Sequence, residues 1–81
     1  LTEDYIIFVE KSQELRKFGD RVRSLRIAKG FSQEKLAELS GLHRNYIGGI
    51  ERGERNIALL NILRLSKALG ISASQLLDEI E

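Results

Sequence analysis

His43, Arg44 and Asn45 are three consecutive polar residues at the head of a short run that carries Ile47 and Ile50. An arginine can donate two parallel hydrogen bonds to O6 and N7 of a guanine, and an asparagine can engage N6 and N7 of an adenine in the same bidentate way. On the leading turn of a helix, such side chains could read base edges in a DNA major groove, which is about 12 Å wide and admits one helix. Arg44 is the first candidate for that chemistry and Asn45 the second. The alternative for Arg44 is a solvated or ion-paired surface arginine. For His43, a helix cap, a phosphate contact and plain exposure stand level. Phosphate contacts need donors that flank the groove. Ser32 opens another helix, whose free N–H groups suit an anion, and Gln33 beside it is a further donor. Tyr46, Arg52, Arg55 and Asn56 surround the far side of the reading segment, and Arg26 and Lys29 precede the turn before Ser32. Tyr46 could equally pack its ring on the core. The basic residues from Arg16 to Arg23 read as solvent-facing.

Enzymatic chemistry has little to work with. The chain has one His and no Cys, no Gly-rich phosphate loop, and no paired carboxylates in an apolar setting. Glu34 with Glu38, and Glu51 with Glu54, have the spacing of solvated helix faces. His43 alone cannot build a metal site, so neither a metal, a cofactor nor a small-molecule substrate is expected.

The elements that would position Arg44 and Asn45 lie in Gln33–Arg52, QEKLAELSGLHRNYIGGIER. Leu36 and Leu39 share one helical face by their spacing, as do Ile47 and Ile50. Between the pairs, Gly41 is where the first helix must stop, since a left-handed residue there is cheapest as Gly. Ala37 is small where a second helix would cross. A small residue at the fifth place, Gly at the ninth, and apolar residues at the fourth, tenth, fifteenth and eighteenth form the helix-turn-helix pattern. Ala37, Gly41, Leu36, Leu42, Ile47 and Ile50 fill those places. Gly48-Gly49 costs helix stability, about 1 kcal/mol each relative to Ala. That points to close approach of something to the helix. For Gly49, a ligand and a neighbouring helix are even readings. For Gly48, on the face of Arg44 and Asn45, the ligand is favoured.

The rest of the chain reads as support. Leu15, Phe18, Val22, Leu25 and Ile27 predict a helix over about 13–29, ended by Gly30. Ser32 is an N-cap, with Lys35 rather than Glu or Gln three residues on, so no capping box is expected. Gly53 stops the reading helix. A fourth helix over about 59–69 would bury some of Leu59, Ile62, Leu63, Leu65 and Leu69, and Gly70 ends it. Ser72 caps a fifth over about 73–80, with Leu76, Leu77 and Ile80 on one face. The fold class is therefore all-α, five helices with short connections. Residues 1–13 read as an N-terminal extension and 14–81 as the domain. The run Tyr5–Val9 has strand-like composition, yet it leads without a break into the helical pattern, so a helical extension is favoured over an extended arm. Its apolar side chains need cover, either from the core of the same domain or from a partner subunit.

Composition sets outer bounds. Eighty-one residues make one small domain, and a chain of that size buries only about 60% of its unfolded surface, so dimerisation would help it. Charged residues are 31% and apolar ones 42%, values of a globular class. Residues 11–67 hold all 13 Lys/Arg and six acids, an excess of seven positive charges, while residues 1–10 and 71–81 hold three acids each. A basic middle between acidic ends fits a surface that faces a polyanion, although an ordinary solvated surface would give the same count. No apolar run approaches the roughly 18 residues of a membrane span. No secretory leader is legible, because Tyr5–Val9 is short and acids precede it. The absence of Cys fits a cytoplasmic location.

The stretch FSQEKLAELSGLHRNYIGGIERGERNI resembles the DNA-binding domain of the lambda-repressor/Cro-type transcriptional regulators, over about residues 18–77. Within that family, LHRNYIGGIERGERNI followed by a leucine-rich helix is similar to the restriction–modification controller proteins. The resemblance implies a compact five-helix lambda-repressor-like fold, a homodimer, and binding to paired operator half-sites in double-stranded DNA; regulation would then follow from occupying a promoter, its own being the expected one. It also implies base contacts from Gln33, Arg44 and Asn45. It implies phosphate contacts near Tyr46, Arg52 and Asn56, to which the reading of the residues themselves adds Ser32, His43 and Arg55 as backbone candidates. The dimer face would lie on the fourth and fifth helices and their connection, with Leu69, Ile71, Leu76, Leu77 and Ile80. The leader of 13 residues is longer than that of such controllers. The runner-up reading is the same fold used to bind a partner protein, as an antitoxin or anti-repressor would.

Overall fold

A computed structural model describes residues 12–81. The helical extension expected before them lies outside the described residues. Five helices are described: α1 Gln13–Ala28, α2 Gln33–Ser40, α3 Arg44–Glu51, α4 Leu59–Leu69 and α5 Ala73–Leu76. No strand occurs among the described residues.

Each boundary has a local cause. Ser12 caps α1, its Oγ accepting from Leu15 N at 3.0 Å, so the helix begins at Gln13. Ser32 caps α2 by accepting from Lys35 N at 2.9 Å. At the other end of α2, Gly41 takes φ +73° and its N–H closes on Ala37 O at 2.9 Å. A side chain there would be strained in the left-handed region, which is why the turn needs glycine. His43 caps α3, its Nδ1 accepting from Asn45 N at 3.1 Å. Ser72 caps α5 in a full capping box with Gln75, a pairing legible in the spacing of the two residues.

The core is Phe18, Val22, Leu36, Ala37, Ile47, Ile50, Leu65, Leu69 and Leu76, drawn from all five helices. Each fully buried Leu or Ile contributes about 1.5–3 kcal/mol. The tightest crossing is between α1 and α3. A Cβ on Gly19 would stand 2.3 Å from the carbonyl oxygen of Ile50 and 2.8 Å from that of Glu51. Glycine in mid-helix, disfavoured locally, is what lets the two backbones approach. Arg21 ties α1 to α5, its Nη2 donating to Gln75 O at 2.7 Å.

Three expectations need correction. The fifth helix stops at Leu76 rather than Ile80; the chain turns there, and Glu79 takes φ +62°. Leu76, Leu77 and Ile80 therefore do not share a face: Leu76 is in the core, Leu77 is exposed, and Ile80 is half-buried. Leu39 does not follow Leu36 inward, and Ile27 and Leu59 are also exposed, because each core-facing stripe is narrower than the full set of apolar positions.

Candidate nucleic-acid interface

Helix α3 is held from beneath. Ile47 and Ile50 are fully buried, and Gly48, Gly49 and Glu51 are buried with them. Its leading turn faces outward: His43, Arg44 and Asn45 are exposed. The first turns of α2 and α3 lie side by side, joined by an ion pair of Arg44 Nε with Glu34 Oε2 at 3.1 Å. A Cβ on Gly48 would meet Arg52 Nη1 at 3.1 Å and the Gln33 amide at 3.8 Å. Arg44, Gly48 and Arg52 thus form one row at steps of four, with Gln33 and Glu34 of α2 alongside.

Behind this face sits a buried polar cluster. Arg26 Nε donates to Glu51 Oε2 at 2.6 Å, and Arg26 Nη2 and Gln33 Nε2 each donate to Glu51 Oε1 at 3.1 Å. Arg26 Nη1 donates to Phe31 O at 2.8 Å. The side chains of Arg26 and Glu51 are 12% and 4% exposed. The hydrogen bond to the Glu51 carboxylate raises the pKa of the Arg26 guanidinium, against the opposing effect of burial, and the charge of Glu51 raises it further. Neither residue was legible as buried from the sequence: Arg26 read as a groove-flanking donor and Glu51 as part of a solvated face. The reason is that the partners stand 25 residues apart, beyond any helical spacing. Their cluster joins the ends of α1 and α3 to the start of α2 and steadies the amide of Gln33.

The remaining candidates fall in two groups. Tyr46 is half-buried against the core. Its hydroxyl accepts from Asn61 Nδ2 at 3.3 Å, and the Arg55 guanidinium lies 5.6 Å from its ring centroid. Arg55 fills the space beside Gly49, where a Cβ would stand 3.0 Å from its Nε and 3.2 Å from its Cγ. Gly49 is therefore accounted for by an arginine of the same chain, not by a neighbouring helix. Ser32 and Arg52 are exposed, Arg52 pairing with Glu54 at 3.1 Å. Asn56 is exposed at the edge of a shallow slot of about 130 Å³ that includes Glu14, Leu15 and Phe18, so it lies close to the first turn of α1.

A helix-turn-helix family model matches residues 22–76, which spans most of the chain. Control protein C.BamHI of Bacillus amyloliquefaciens is 55% identical over 62 residues, 75% of this chain and 76% of that protein. The chain belongs to the Cro/CI-type helix-turn-helix family. Among solved structures, the restriction–modification controller protein C.AhdI of Aeromonas hydrophila superposes with a TM-score of 0.79 at 58% identity, covering 80% of this chain and 98% of that one. The controller protein C.Esp1396I, described as a tetramer in complex with its natural 35 base-pair operator, superposes with a TM-score of 0.78 at 35% identity, over 85% and 91% of the two chains. The resemblance to DNA-binding controller proteins and the all-helical fold are both borne out. This is a family of transcriptional regulators and not a class of enzymes. No helix among the described residues is long and apolar enough to cross a membrane.

The face expected for a family dimer needs revision. Leu69 and Leu76 are sealed inside the chain's own core and have no surface for a second copy. Ile71 and Ile80 are half-buried at its margin, and Leu77 is exposed. Sequence reasoning passed over Leu60, which is 65% exposed beside Leu59 at 68% and near Leu63 on α4. Three leucines in five residues was the available signal.

Proposed function

We propose that the protein is a sequence-specific transcriptional regulator that binds paired operator half-sites as a homodimer, occupies its own promoter and serves a restriction–modification operon. The observation that carries this is the outward projection of Arg44 and Asn45 from the leading turn of a helix whose underside is locked in the core. In this reading Arg44 forks a guanine, Asn45 engages an adenine, and Gln33, steadied by Glu51, makes a further base contact. Ser32, His43, Tyr46, Arg52, Arg55 and Asn56 contact the backbone and set the register. Exposed Leu59, Leu60, Leu63 and Leu77 form the apolar centre of the dimer face, with Ile71 and Ile80 beside it. Two reading helices then stand about 34–36 Å apart, one turn of DNA. The operator complex of C.Esp1396I, a relative at 35% identity, supports the reading.

The test is a mobility-shift titration on a duplex selected from a random pool and on a random-sequence duplex of equal length. Wild-type binding to the random duplex should weaken steeply with salt, as counterion release requires; a flat response would favour a protein-interaction module. Arg44→Ala should lose about 1–3 kcal/mol on the selected duplex, with relaxed preference at one base pair. Unchanged affinity and selectivity would remove Arg44 from the reading role.

A further inference from the structure

We propose that Glu34 sets the selectivity of the Arg44 contact, by holding one edge of the guanidinium and leaving the other for a guanine. The proposal rests on the reading of Arg44 as a base-contacting side chain. Glu34 Oε2 lies 3.1 Å from Arg44 Nε, and the two side chains are 67% and 54% exposed. A guanidinium carries five N–H donors in a rigid plane. The carboxylate forms an ion pair at the Nε side rather than a hydrogen bond, and the guanidinium, its terminal nitrogens included, donates no side-chain hydrogen bond among the described residues. Those terminal nitrogens are the pair that matches guanine O6 and N7.

The position of Glu34 adds a second effect. It occupies the first turn of α2, where free backbone N–H groups favour a negative charge. The same groups would otherwise attract a DNA phosphate. A carboxylate there reduces the pull of those groups on a phosphate without removing the Ser32 contact, and it offsets the charge of Arg44 toward duplexes that offer no guanine at the right place. Glu34 therefore lowers affinity for arbitrary DNA and holds Arg44 in the orientation that a correct base pair rewards. It is a positioning residue that acts through Arg44.

The experiment compares wild type, Glu34→Gln, Arg44→Ala and the double variant, each titrated on the pool-selected duplex and on the random-sequence duplex across a salt series. Thermal melting of each variant verifies that the fold is retained. For Glu34→Gln, the expected result is tighter binding to the random duplex, a salt slope steeper by about 0.9, and a fall in the specificity ratio of about tenfold, the scale of one base contact. In the Arg44→Ala background the same substitution should leave the specificity ratio unmoved. An unchanged ratio for Glu34→Gln alone would overturn the proposal and leave Arg44 as a reader. An equal fall in both backgrounds would overturn it as well, since Glu34 would then act as a bulk charge. If Arg44→Ala itself keeps the wild-type ratio, the reading of Arg44 fails and the proposal falls with it.

Discussion

Two Arg–Glu pairs brace the two ends of α3, and they share a chemistry but not an environment. Arg26 with Glu51 is nearly sealed, with a contact of 2.6 Å and further bonds to Phe31 O and Gln33. Arg44 with Glu34 is open to solvent at 3.1 Å. Burial decides what each can do. An ion pair taken out of water must have its remaining donors and acceptors satisfied, and removing one partner strands the other. An exposed pair is screened by solvent and contributes little to stability. The inner pair therefore fixes the geometry of three helices, and the outer pair orients an exposed guanidinium at little consequence for stability.

The comparison can be broken most visibly at the root. Glu51→Ala leaves the Arg26 guanidinium buried without its carboxylate and should destabilise the fold by about 3–5 kcal/mol, measured by urea unfolding. A loss below 1 kcal/mol would mean that the inner pair is no more structural than the outer. Gly19→Ala tests the crossing that brings Arg26 within reach of Glu51. Its methyl would meet the Ile50 carbonyl at 2.3 Å, so the helices must separate, at about 1–3 kcal/mol. A neutral result would show that α1 and α3 do not need that contact. Glu34→Gln should shift stability by less than about 0.5 kcal/mol in the same unfolding assay. A loss comparable with that of Glu51→Ala would erase the distinction between the pairs.

Much of the molecule was legible in the residue order. Most helix ends were, because Ser32, Ser72, Gly30, Gly41, Gly53 and Gly70 act on their immediate neighbours, and the four glycines all take positive φ; the end of α5, which has no such residue, was not. The outward placement of Arg44 and Asn45 followed from the apolar underside at Ile47 and Ile50. What escaped were relations between distant segments. Gly19 reads locally as a weakness in a helix, and only the crossing with α3 explains it. Arg26 and Glu51 read as surface charges until folding brings them together. Leu69 and Leu76 read as members of an apolar face, but periodicity does not say whether such a face meets the chain's own core or a second copy.

The most direct test of the central claim, that Arg44 reads a guanine from the tip of α3, is methylation interference at guanine N7 on the pool-selected duplex. A methyl at N7 blocks the fork of an arginine on that base. The expected result is one guanine per half-site whose methylation weakens wild-type binding but makes no difference to Arg44→Ala. The same interference pattern for both proteins would contradict the claim.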